Sequence, residues 1–170
     1  IDEEAVSLER DSVPGLYLST ALRAATRNSH ATLERALFVD ADAATATRDF
    51  ERAAQIVREL DQHSAAYEAT IFREDDRQRF RAYRAVVDKY LPMFNEAMQL
   101  ARTSKPAAQA VTVRATPVWE EATALADGLV SDNRKVADES AQQTRVSVQS
   151  TEVTLAVALG MVLLAALALG

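Results

Sequence analysis

The chain has 170 residues, a net charge of −6, two histidines and no cysteine. Such a length suits one domain with a modest core. The acidic balance excludes a nucleic-acid module, which needs clustered Lys and Arg, and the lack of cysteine excludes a disulfide frame, a thiolate metal site and a haem attachment motif. Only four glycines and four prolines leave room for few turns, so the helices must be long. Val, Ile and Thr never alternate over the length of a strand, and no sheet is expected.

The first helix is predicted from Ile1, or before it, to about Val39. Its apolar and small stripe is Leu18, Leu22, Ala25, Ser29, Leu33 and Ala36, spaced by threes and fours. Pro14-Gly15 interrupts its early part. Residues 40–47 read as a loop, with Thr47 as the N-cap of a second helix over 48–71. That helix carries Phe50, Ala54, Val57, Leu60, Ser64, Tyr67 and Ile71 on one face. The third helix is expected from about Asp75 to Thr103, with Phe80, Tyr83, Val87, Tyr90, Phe94 and Met98 inward. Ser104-Lys105-Pro106 joins a capping residue to a first-turn proline and starts the fourth helix. Its stripe is Val111, Ala115, Val118, Ala122, Leu125, Leu129 and Val136, and nothing before Glu152 clearly stops it.

Residues 153–170 hold no charge and are almost wholly Leu, Ala, Val, Gly and Met. A bilayer core needs roughly 20 apolar helical residues, so the run reads as a transmembrane helix cut just short of its far end. Ala156 and Gly160 form a small-xxx-small pair suited to close helix packing. The expected domains are therefore 1–152, outside the membrane, and the span 153–170.

Short loops make neighbouring helices antiparallel. At 1.5 Å per residue the middle helices reach roughly 35–45 Å, and the outer two roughly 60–70 Å. The fold expected is all-α: an antiparallel up-down-up-down four-helix bundle continuing into the C-terminal span. The outer helices reach the membrane together, which would make Ile1 the trace of a preceding span. Asn133, Ser140, Gln143 and Ser147 make the lower fourth helix polar. So polar a stalk needs a partner, and a parallel homodimer is inferred.

This arrangement resembles the four-helix-bundle sensor domain of methyl-accepting chemotaxis receptors. Ser12-Val13-Pro14-Gly15 resembles that family's segment just outside its first span, and the run Leu22-Arg23, Arg27 and Leu33-Glu34-Arg35 resembles its first helix. The resemblance implies a periplasmic ligand sensor in the bacterial inner membrane. It would signal through a cytoplasmic half, absent here, to a histidine kinase and its coupling protein. It also implies a ligand carboxylate held by first-helix arginines, with a Thr early in the fourth helix. Arg23, Arg27, Arg35, Thr112 and Arg114 are the matching residues, although the arginine spacing differs from the family's. Arginine's planar fork suits a carboxylate; the alternative is that these arginines pair with nearby acids on solvated faces.

A second candidate pocket follows from helix heights. Arg27, Tyr90, Pro92, Pro117 and Trp119 fall at one level, and paired proline kinks could open space between helices. The alternative is an ordinary aromatic core. His30 and His63 are too few for a metal site, and no cofactor is expected. No nucleophile triad, phosphate loop or Glu-x-x-His pair occurs, so no enzyme is expected. The alternatives within signalling are the same module on a sensor histidine kinase or a cyclic-dinucleotide enzyme. Outside signalling, the alternative is a membrane-anchored structural bundle with no ligand.

Overall fold

The computed structural model describes the backbone of residues 13–39, 42–71 and 73–169; the side chains of residues 13, 144 and 147–169 fall outside the description. Four helices form the bundle: α1 (Val13–Glu34), α2 (Ala43–Thr70), α3 (Glu74–Leu100) and α4 (Lys105–Leu169). A π-helical turn, Arg35–Val39, extends α1 at its far end. The expected part of the first helix before Val13 lies outside the described residues.

Local chemistry sets the helix ends. Asp42, in extended backbone, accepts a hydrogen bond from the Thr45 N–H at 2.8 Å and caps α2. The expected cap, Thr47, is instead inside the helix and bonds the Ala43 carbonyl. An Asp side chain satisfies a first-turn donor at least as well as Thr, so α2 starts five residues earlier than the sequence suggested. Glu74, Asp75 and Asp76 occupy the first turn of α3, where the helix dipole favours acids. The third helix stops at Leu100 rather than Thr103, and turn bonds to the Gln99 and Leu100 carbonyls carry the chain to Ser104. Ser104 Oγ accepts from Ala107 N and caps α4, as its pairing with Pro106 implied.

The predicted stripes face inward. Leu22, Leu33, Leu60, Tyr67, Tyr83, Tyr90 and Phe94 are almost completely buried. Each such side chain contributes ~1.5–3 kcal/mol over an exposed one. Ala108, Ala115, Ala122 and Ala126 of α4 lie in the same core and leave room for the rings of α3, so α3 and α4 pack closely. α1 packs against both α2 and α4, whereas the α2 and α3 backbones barely approach. Large side chains bridge that seam at its lower end, where Tyr67 and Phe80 ring centroids lie 5.2 Å apart.

A buried polar knot joins all four helices at the lower end. Asn133 Nδ2 donates to the Tyr67 hydroxyl at 2.6 Å and to the Leu129 carbonyl at 2.8 Å. Tyr67 in turn donates to Asp76 Oδ1 at 2.8 Å. Gly15 lies against the same asparagine, so close that a Cβ there would meet Asn133 Oδ1 at 2.6 Å. Asn133 was expected in the polar stalk; instead it is an interior residue, because Tyr67 and Leu129 supply its partners within one chain. Beyond it α4 continues as one helix through Leu169. Among the described residues no helix is long and apolar enough to cross a membrane, and the side chains of the expected span lie outside the described residues.

Candidate sensory site

Midway up the bundle, His30 of α1 is fully buried between α3 and α4. Its ring stacks on Trp119 at a centroid distance of 4.7 Å and an interplanar angle of 17°, and Tyr90 closes another side at 5.9 Å. Trp119 Nε1 donates to the Thr26 carbonyl at 2.8 Å. Tyr90 and Ser29 hydroxyls stand 3.4 Å apart. The two residues singled out for the second pocket, Tyr90 and Trp119, thus come together, and His30 fills the space between them. Pro92 and Pro117 lie on exposed faces of helices that continue through them.

The protonation state of His30 follows from its neighbours. Thr116 Oγ1 donates to the Thr112 carbonyl, which leaves it free to accept from His30 Nε2 at 3.3 Å. Glu34 Oε1 is 3.5 Å from the same nitrogen. Nδ1 is buried and finds no partner among the described residues. A neutral ring with its proton on Nε2 satisfies this arrangement; a second proton would sit unpaired in the core. Burial accordingly pushes the His30 pKa below its ordinary value, against the opposing pull of Glu34 and Glu120. Burial also raises the Tyr90 hydroxyl pKa. Thr112 is buried one turn above Thr116 and bonds the Ala108 carbonyl.

The candidate arginines lie outside this centre. Arg27 makes a two-point contact with Asp127 of α4, at 2.6 and 2.9 Å, and Arg23 lies 3.9 Å from the same carboxylate. Arg35 pairs with Asp49 of α2, and Arg114 lies 3.6 Å from Glu96 of α3. Within one chain, then, all four pair with acids. His63, half-buried on α2, is not part of the centre. His30 is the residue that sequence reasoning missed. Its position, between Thr26 and Leu33 on the inward face of α1, was the available signal.

The fold is a bundle of four long helices, with His30 stacked on Trp119 at its centre and a fourth helix that runs on unbroken below it. The chain belongs to the family of four helix bundle sensory modules for signal transduction, whose model matches residues 2–148. A solved structure, the periplasmic sensor domain of a sensor histidine kinase, is similar in fold. Its TM-score is 0.70 at 14% identity, over 85% of this chain and 97% of that one. No curated protein matches the chain.

Proposed function

We propose that residues 1–152 form the extracytoplasmic ligand-sensing part of a methyl-accepting chemotaxis receptor, anchored by a span at 153–170. The observation that carries this is the continuity of α4, one helix from Lys105 to Leu169. At 1.5 Å per residue it extends roughly 100 Å and joins the bundle core directly to the apolar run. A displacement at the bundle would therefore reach the membrane without crossing a loop. On the second reading the same module serves a sensor histidine kinase, the kind of protein from which the structural neighbour comes.

The partner at the sensing level is a second copy. Tyr17, Ala24, Asn28, Ala31 and Phe38 are exposed along α1 at heptad-like spacing. Tyr17 and Phe38, at 68% and 49% exposure, mark the ends of this face. A parallel copy would cover it. The ligand proposed for this face is a carboxylate or amino acid, held by Arg23, Arg27 and Arg35 with Arg114, and coupled to the core through the buried Thr112 and through Tyr90 and Trp119. Binding would exchange Asp127 for the ligand carboxylate at Arg27.

Two measurements test the reading. Membranes carrying the chain are washed in alkaline carbonate; the expected result is retention, and release would remove the proposed anchor. The chain in lipid nanodiscs is then screened by thermal shift against carboxylates, amino acids and aromatic acids, since a bound ligand raises the melting temperature by mass action. A shift lost in Arg27→Ala or Trp119→Ala is expected. Unchanged affinity in both variants would remove the proposed contacts.

A further inference from the structure

The seam between α2 and α3 holds a feature that the α1 and α4 residues do not explain. Its lower end is bridged by Tyr67 and Phe80. Its membrane-distal end stays open as a cleft of about 350 Å³. Phe50, Ala54 and Met98 form an apolar floor, half-buried, and Phe50 and Met98 pack against the upper core. Glu51 stands on the α2 wall and Arg102 on the wall that follows α3. Both are exposed, and neither makes an ion pair with any described residue. That sets Arg102 apart from Arg23, Arg27, Arg84 and Arg114, all of which face a carboxylate. A second cleft of about 370 Å³ shares Thr47, Phe50 and Ala101 with the first and opens toward Leu37 and Lys105. The π-helical turn borders it, a local geometry frequent at functional sites.

Opposite charges that pair with no described residue, on facing walls above an apolar floor, complement one kind of solute: a small zwitterion with an apolar body. The cleft volume lies at the lower end of the range for small-molecule sites. We infer that the distal α2–α3 seam binds an apolar α-amino acid. Arg102 takes the carboxylate through its planar fork, Glu51 takes the ammonium, and the side chain rests on Phe50 and Met98. This site is separate from the arginines of α1 and from the His30 centre. The α2 and α3 backbones barely approach, whereas α1 and α4 are in close contact. An occupant that draws α2 toward α3 therefore loads the α1–α4 joint, on which the exit helix rests. That consequence depends on the sensory reading; binding itself does not.

The test uses the full chain in lipid nanodiscs, titrated calorimetrically with L-leucine, L-methionine and L-phenylalanine. At least one is expected to bind, and Arg102→Ala and Glu51→Gln are each expected to weaken it about tenfold or more, the usual effect of losing a charge-assisted contact. Phenylacetate, without the ammonium, and phenethylamine, without the carboxylate, should bind similarly less well than L-phenylalanine. Ala54→Trp should block the cleft; helical circular dichroism checks that this variant folds, and the surface variant Arg102→Ala decides if it does not. Absence of binding by all three amino acids up to about 10 mM overturns the inference. Binding that survives Arg102→Ala but is lost in Arg27→Ala also overturns it. The latter result would place the ligand on α1 and leave the sensory reading intact.

Discussion

His30 shows how one buried side chain ties stability to pH. It is flanked by Glu34 on its own helix, Glu120 on α4 and Tyr90 on α3. Burial keeps its folded pKa below 6.5, so the unfolded chain takes up a proton at a higher pH than the folded one. Stability is then complete above about pH 6.5 and falls as the pH drops below it. Asp76 acts in the opposite sense, because burial raises its carboxyl pKa above 3.8 and acidification relieves that penalty. His30→Phe retains an aromatic ring against Trp119 and removes the titration. The melting temperature of the unmodified chain should therefore decline from about pH 7.5 to 5.5, and this decline should be reduced in His30→Phe. Circular-dichroism melts across that range would show it; parallel curves would refute the assignment. Tyr90 and Trp119 were legible as a pair at one height, from helix counting alone. Their filling by His30 was not, because a lone histidine on an apolar face carries no sequence pattern that says which neighbours will surround it.

At the scale of elements, the lower polar knot fixes where α4 sits against the other three helices. Asn133 cannot swing aside to admit a methyl group on Gly15, since both its Nδ2 bonds hold it to Tyr67 and Leu129. Gly15→Ala should destabilise the bundle by ~1–3 kcal/mol, the range for overpacking. Asn133→Ala should also cost ~1–3 kcal/mol, because it leaves the Tyr67 hydroxyl short of a buried donor. The two costs should not add. With Asn133 truncated the methyl group has room, so the double variant should lie well below the sum, an interaction readable by urea denaturation. The four helices and their buried stripes were legible in the sequence, as was the start of α4 at Ser104. The start of α2 was not, because Asp42 and Thr47 are both competent caps and the backbone geometry chose between them.

Over the whole molecule, α1 turns one face to the core and leaves another exposed, the face proposed above for a second copy. Ala31→Cys lies on the outward face and Lys89→Cys lies on an exposed face of α3. In membranes, mild oxidation should give a covalent dimer through Ala31→Cys and little through Lys89→Cys, read on non-reducing gels. Equal yields would remove α1 as the dimer face. The sequence by itself determined the helical class, the order of helices and the inward stripes. Helical periodicity, scarce Gly and Pro, and capping residues are local properties that need no knowledge of the fold. Tertiary structure alone decided which acids hold the arginines, that Asn133 faces Tyr67, that His30 fills the centre and that the α2–α3 seam stays open. Those outcomes depend on the rotation and spacing of packed helices, set by the summed shapes of residues far apart in the chain.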